Sequence, residues 1–241
     1  MSNTRPNFVG IGVPRSGTTW LHEYINSHPN GFTSRARKEV HYFDRDYANG
    51  EQWYLDFFTE AAESAHAIGE FTPHYLYEPL ARQRIMDFGI ERAIVILRDP
   101  VTRTWSNYLF KKRQQQYEGT LGEFLNDFPE MTSWSSYGEH IGPWSDEFGD
   151  QLLLLVFEDM KRDRDNFDNR LGAFLGLEPS GFDPAAWDNK VNAATSLKFP
   201  ALYAQAVRVN RWLSRRDLDR FAQRLKHVPG TTRLLRTPGN Q

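Results

Sequence analysis

The 241-residue chain contains no cysteine. This absence excludes disulfide bonds, thiolate nucleophiles and cysteine-based metal sites. Long hydrophobic runs are also missing, since no stretch approaches the roughly 18 uninterrupted apolar residues that a membrane-spanning helix needs. The first predicted strand begins near Phe8, which leaves no room for a signal peptide before it. We therefore expect a cytoplasmic protein without a transmembrane segment.

The chain has little net charge, −2 at neutral pH, which argues against a nucleic-acid partner. The charge is unevenly spread, because ten lysines and arginines from Lys198 onward face only two aspartates. Apolar residues at helical spacing predict amphipathic basic helices over 201–228, within a basic section of about 198–241. These helices present either a solvated face over the core or a surface for an acidic substrate, a membrane or a partner. Peripheral membrane contact is thus one expectation.

Apolar runs alternate with helical patterns along the chain. Such strands, apolar on both faces, predict an α/β fold of three layers, with a central parallel β-sheet flanked by helices. A chain of this length is expected to form one domain, 1–241. The predicted strands are 8–13, 67–70, 92–97 and 151–157; the predicted helices are about 17–28, 78–88, 101–116 and 163–175. The segments 42–66 and 110–150 are interpreted as loops that shape an acceptor pocket.

The stretch from Phe8 to Trp20 carries the strongest motif. An apolar strand leads into a glycine-containing turn and then a helix, which places backbone N–H groups and the helix dipole where they attract phosphate or sulfate. The spacing from Gly12 to Gly17 matches the first half of a P-loop. Thr18 stands where the P-loop lysine would be. The turn is therefore suited to a nucleotide's phosphates, whereas ordinary triphosphate chemistry is not indicated.

A second anion site is indicated after the strand 92–97. Arg98 lies at its carboxyl end, Asp99 and Pro100 form a typical helix start, and Ser106 lies about two turns into that helix. An arginine fork with a hydroxyl can hold a terminal phosphate.

Together, the Arg15–Trp20 stretch and the Arg98–Ser106 segment resemble the sulfotransferases that use 3′-phosphoadenosine 5′-phosphosulfate (PAPS). This resemblance implies a P-loop-like fold and PAPS as co-substrate, with no metal required. No metal-ligand spacing is apparent in the sequence. Trp20 is open to a second interpretation as core packing. The co-substrate contacts that the resemblance implies are Arg15, Ser16, Gly17, Thr18, Thr19, Trp20, Arg98, Ser106 and Lys198.

The segment Arg37–Arg45 resembles the Lys-Glu-x-His-Phe-Phe-Asp stretch of heparan-sulfate-type sulfotransferases. By that resemblance, Glu39 is the catalytic base and Lys38 is the cation beside the transferring group. Arg15 would meet the charge that grows on the leaving group. His41 is the rival base, because a neutral imidazole is close to its working pKa.

One departure concerns the segment Glu70–Tyr75, where the heparan-type pattern reads Glu-Lys-Thr-Pro-Ser-Tyr. Phe71 replaces the lysine, and His74 could compensate for its loss. The candidate substrate contacts are accordingly His41, Glu70 and His74, and Glu70 is equally open to a structural role.

The sequence thus predicts a sulfotransferase that moves a sulfuryl group from PAPS to an acceptor hydroxyl on a carbohydrate, a lipid or a small natural product. Two alternatives stay open: a P-loop kinase, and a non-catalytic module that binds PAPS or its bisphosphate product PAP. The sequence does not predict the acceptor or the oligomeric state.

Overall fold

The computed structural model describes residues 5–160, 162–187, 195–197 and 236–238. Lys198 and the basic helices expected over 201–228 lie outside the described residues. In the two short C-terminal stretches, Thr195–Leu197 pairs antiparallel with Arg236–Pro238.

A five-stranded parallel sheet forms the centre of the fold, and it confirms the predicted α/β architecture. Its strands, in spatial order, are β2, β3, β1, β4 and β5. The chain starts in the middle with β1, builds one side, and then crosses to the other side with β4. In sheets of this kind, ligands bind beyond the carboxyl ends of the strands where the winding direction changes. The strand bounds are β1 Phe8–Gly12, β2 Gly31–Thr33, β3 Ala67–Phe71, β4 Arg92–Leu97 and β5 Leu152–Val156.

Helices cover both faces of this sheet. One face packs against a cluster that contains Val9, Ile68 and Val95 from the strands and Trp144 from α7. The other face packs against Leu21 from α1 and residues of α9. The helix bounds are α1 Thr18–Asn26, α2 Glu51–Leu55, α3 Pro79–Phe88, α4 Pro100–Gln114, α5 Leu121–Asp127, α6 Pro129–Ser133, α7 Tyr137–Phe148, α8 Phe157–Met160, α9 Arg164–Leu175 and α10 Pro184–Trp187.

The loop predictions for 42–66 and 110–150 are wrong in part. The first segment contains α2, and the second contains the end of α4 and the helices α5, α6 and α7. Helix α5 begins with a capping box, in which the Thr120 hydroxyl accepts from the Glu123 N–H and the Glu123 carboxylate accepts from the Thr120 N–H. The three-residue strand β2 was also not predicted, because it is too short to show a hydrophobic period.

Across the part of the chain that the structure describes, no helix combines the length and the apolar character that crossing a membrane requires.

Candidate functional site

The predicted site residues follow the carboxyl ends of adjacent strands. Glu39 and His41 follow β2, His74 follows β3, Arg15 follows β1, and Arg98 follows β4. Because the strand order is β2, β3, β1, β4 and β5, these side chains form a row along one edge of the sheet. Acidic and imidazole groups occupy the β2–β3 side of this edge, and guanidinium groups occupy the β1–β4 side.

The loop after β1 leads directly into α1. Gly17 caps this helix at φ 96°, no side chain caps its N-terminus, and no acidic residue lies in its first turn. Arg15 also has a positive φ, 73°, which is rare for a residue with a side chain and is typical of functional loops. The first N–H groups of α1 are therefore free of side-chain caps and suited to an anion.

Arg98 and Arg113 lie close enough to Arg15, which precedes this helix, for their charges to act on it. The pKa of Arg15 is lowered to about 10 by burial and then by the positive charges of Arg113 and Arg98, while the negative charge of Glu39 opposes the shift. Arg15 stays charged at neutral pH. Within the described segments, none of the three guanidinium groups pairs with a carboxylate. We call Arg15, Arg98 and Arg113 the arginine cluster.

The two predicted anion motifs meet at this cluster. Arg15 Nε donates to Ser106 Oγ at 3.3 Å, and Arg98 Nη1 donates to the backbone oxygen of Arg15 at 3.1 Å. Helix α4 begins as predicted, with the Asp99 carboxylate accepting from the Thr102 N–H and Pro100 in the first turn. Ser16 Oγ and Arg98 Nε are buried and have no hydrogen-bond partner in the part of the chain that the structure describes. Buried polar atoms rarely lack a hydrogen-bond partner, so these two atoms are candidates for contacts with a bound ligand.

The acidic side of the edge is centred on Glu39. Lys38 Nζ donates to Glu39 Oε1 at 2.9 Å, and His41 Nε2 lies 3.7 Å from Glu39 Oε2. Burial alone would raise the pKa of Glu39, but the His41 ring and the Lys38 charge outweigh it and hold the pKa well below its ordinary value. Glu39 is therefore ionised at neutral pH, and its side chain stays 39% exposed.

Asp44 and Thr72 hold His41 in place. Its Nδ1 lies 2.9 Å from the carboxylate of Asp44, and its backbone N–H donates to Thr72 Oγ1. Burial opposes a charged ring, but the hydrogen bonds to Asp44 and Glu39 outweigh burial and raise the pKa of His41. Like Arg15, His41 has a positive φ, 58°. The backbone of this turn thus directs the ring toward Glu39.

His74 completes this side of the site. Its ring centroid lies 5.7 Å from that of His41 and 5.4 Å from that of Trp134. Burial lowers the pKa of His74, so its ring is neutral at neutral pH. Nitrogen and oxygen atoms of Glu39, His41 and His74 all lie within 4.8 Å of one another, a grouping that the sequence did not reveal.

Two of the predicted contacts, Glu70 and Trp20, have buried side chains. Glu70 has no exposed surface, and it accepts from Thr72 Oγ1 at 2.8 Å beneath the His41 turn. Trp20 is 8% exposed, its ring stacks on Tyr24, and its Nε1 donates to the Trp187 oxygen. The Trp20 side chain therefore belongs to the core. Phe71, at the position of the family lysine, is fully buried and packs over Gly10.

Three residues of the site were not predicted. Asp44 follows His41 by three residues, and the two side chains meet in a turn at which His41 has a positive φ. Arg113 follows Ser106 by seven residues on one helix, so helical periodicity could have found it. Trp134 lies between α6 and α7, in the segment interpreted as loop.

Comparison with known proteins agrees with this geometry. The Sulfotransferase domain matches residues 5–199. Mouse heparan sulfate glucosamine 3-O-sulfotransferase 3A1 is 31% identical over 208 residues, which are 82% of this chain and 52% of that protein. The membrane-associated sulfotransferase kil1 of Dictyostelium discoideum is 40% identical over 108 residues, 44% of this chain and 23% of that protein. The chain thus spans about half the length of these curated relatives, or less.

Solved structures share the fold. A sulfotransferase from Alicyclobacillus acidocaldarius superposes with a TM-score of 0.66 at 25% identity, over 78% of this chain and 87% of that one. Mouse sulfotransferase SULT7A1, solved with PAP, gives a TM-score of 0.51 at 18% identity, over 74% of this chain and 59% of that one. Since the domain match covers most of the sequence, this chain belongs to the sulfotransferase family.

Proposed function

We propose that this protein transfers a sulfuryl group from PAPS to an acceptor hydroxyl. The observation that carries the proposal is the arginine cluster, which has no carboxylate partner among the described residues and lies beside an ionised Glu39 on the same sheet edge. A cationic pocket next to a base is the arrangement that sulfuryl transfer from an anionic donor requires. Ser16 Oγ and Arg98 Nε, for which the described residues offer no hydrogen-bond partner, support binding of a polyanion at this cluster.

Different residues would bind the two ends of the donor PAPS. The N-terminus of α1, with Ser16, Thr18 and Thr19, would hold the 5′-phosphosulfate. Arg98 and Ser106 would hold the 3′-phosphate, as the resemblance implies, and Arg113 would add a third guanidinium. Arg15 belongs to the first motif and contacts Ser106 and Arg98 of the second. Its guanidinium group would therefore interact with the charge of both phosphates.

The reaction follows from this placement. Glu39 accepts the proton of the acceptor hydroxyl, and the acceptor oxygen forms a bond to the sulfur. The bond between that sulfur and the bridging oxygen breaks on the opposite side, and PAP leaves with the electron pair. Arg15 and the N–H groups of the α1 start meet the negative charge that grows on the leaving group. Lys38, which contacts Glu39, would accompany the transferring sulfuryl group.

We further propose a carbohydrate acceptor. The support is the identity to a heparan sulfate glucosamine 3-O-sulfotransferase and the aromatic side chains beside the base. The Trp134 ring packs against His74 and stacks on Tyr77 with centroids 5.3 Å apart. Flat aromatic faces with polar rims suit a sugar ring, which is apolar on its face and polar at its edge.

Calorimetric titration with PAP tests the donor site. We expect wild-type protein to bind PAP and to prefer it over ATP with Mg²⁺. Arg98→Ala should weaken PAP at least about tenfold, since it removes a charge-assisted contact. The matched control is Arg162→Ala, because the Arg162 side chain is 79% exposed on the surface. A preference for ATP with Mg²⁺ would favour the kinase alternative and overturn the proposal.

A further inference from the structure

Side-chain nitrogen and oxygen atoms of Glu39, His41 and His74 lie close together and are of the types that bind metal ions. One nitrogen or oxygen of each lies within 4.8 Å of the other two, and Glu39 Oε2 is 3.7 Å from His41 Nε2. The three residues lie in the loops that follow two neighbouring strands, Glu39 and His41 after β2 and His74 after β3. We propose that they bind a divalent transition metal of the Zn²⁺ type.

The donor atoms are available for a metal. His74 Nδ1 is buried and has no hydrogen-bond partner among the described residues, so its lone pair or proton is not accounted for by the protein contacts described. His41 Nδ1 is occupied by Asp44 at 2.9 Å, which leaves Nε2 directed at Glu39. A carboxylate bound to the far nitrogen of a ligating histidine is the usual support of such ligands, because it fixes the ring and its tautomer. Glu39 contributes Oε2, while Oε1 contacts Lys38.

The chemistry of the set selects the metal class. Two imidazole nitrogens and one carboxylate oxygen suit Zn²⁺ and its neighbours, and they do not form the all-oxygen shell that Mg²⁺ or Ca²⁺ prefers. Three protein ligands leave a fourth tetrahedral position for water. His74 is the residue that completes the set, and the heparan-type pattern has serine at its position.

Metal binding would have a consequence for the proposed reaction. A metal bound to Glu39 Oε2 occupies the lone pair that accepts the proton of the acceptor hydroxyl. Zn²⁺ would therefore inhibit sulfuryl transfer reversibly, and a chelator would restore it. This consequence rests on the proposed function, whereas the binding itself does not.

Binding is tested without any turnover. Tag-free protein is titrated calorimetrically with Zn²⁺, and the visible absorption of added Co²⁺ reports coordination directly. We expect one Zn²⁺ whose affinity falls at least about tenfold in His74→Ser, together with loss of the Co²⁺ band. The control His66→Ser removes an exposed histidine before β3, at the opposite edge of the sheet, and should bind as wild type.

Folding is checked by circular dichroism, and His74→Asn gives a second variant of similar polarity should His74→Ser be unstable. Equal Zn²⁺ affinity in wild type and in the folded His74 variants would overturn the proposal, as would the absence of binding to wild type. Either result can coincide with normal PAP binding, which would leave the proposed function intact. Conversely, Zn²⁺ binding that depends on His74 in a protein that does not bind PAP would support the metal site alone.

Discussion

Arg15, Arg98 and Ser16 show how single residues mark the site. Each carries a polar group that the fold buries or crowds, and the described residues provide no paired carboxylate or, for Ser16 Oγ and Arg98 Nε, no hydrogen-bond partner. Such arrangements cost stability, so a sequence that retains them indicates a ligand that restores the missing contacts. Sequence patterns pointed to these three positions because each follows a strand that is apolar on both faces, and their role in binding stays a prediction.

Glu70 gives a prediction on pH and stability. Burial raises the pKa of Glu70 to about 7, against about 4.3 in an unfolded chain. Between these values the folded state holds a proton that the unfolded state has lost, so the contribution of Glu70 to stability is full below about pH 4 and is lost as pH rises through 7. Glu70→Gln removes this dependence. Relative to wild type, the variant should gain up to about 2.5 kcal/mol in the free energy of unfolding between pH 5 and pH 8.

The measurement is urea unfolding at both pH values, with Glu60→Gln as an exposed control. A difference between Glu70→Gln and wild type that is the same at pH 5 and pH 8 would contradict a buried, protonated Glu70.

At the scale of the element, the start of α1 depends on Gly17. Its φ of 96° is unfavourable for any residue with a side chain, and an added Cβ would lie 2.7 Å from the Phe157 ring. Gly17→Ala must therefore move the loop or the ring. We expect PAP affinity to fall at least about tenfold, because the N–H groups of the loop would lose their alignment.

Gly89→Ala is the matched control for this change. Gly89 has a similar φ, 85°, but an added Cβ would meet nothing within 4 Å. It should cost about 1 kcal/mol in stability and leave PAP affinity unchanged. Calorimetry on both variants separates a local effect on the α1 loop from the general cost of alanine at a positive φ. Equal loss of PAP affinity in the two variants would count against a specific role for the loop.

Whether a helix or strand could be predicted from the sequence depended on the strength of its local signal. The strands β1, β4 and β5 are runs of apolar residues, and α4 has a cap and a proline at its start, so each has a local signal. By contrast, α5 and α6 have seven and five residues, and α7 contains Pro143. Short or interrupted helices lack a clear period and are stabilised by packing on the rest of the fold.

At the scale of the whole molecule, donor binding should couple to global stability. A ligand that binds only the folded state at 100 times its Kd adds about 2.7 kcal/mol. For a chain of this size that corresponds to a rise in Tm of about 5–10 °C. Differential scanning calorimetry with PAP should show this rise, and ATP at the same concentration should give a smaller one. An unchanged Tm at millimolar PAP would contradict the donor site.

Other whole-molecule properties stay predictions. The cytoplasmic location and the peripheral membrane contact through the basic C-terminal section depend on sequence reasoning alone. Lys198, expected near the 3′-phosphate, belongs to the same group, because it lies outside the described residues.

We propose that Glu39 removes the acceptor proton while the arginine cluster holds the donor. The most direct test is acceptor-dependent release of PAP from PAPS by wild type and Glu39→Gln, measured beside PAP affinity for both. We expect Glu39→Gln to bind PAP like wild type but to turn over about 10²–10⁴-fold more slowly, the usual contribution of a general base. Undiminished turnover by Glu39→Gln would contradict this proposal, and so would an equal loss of PAP binding.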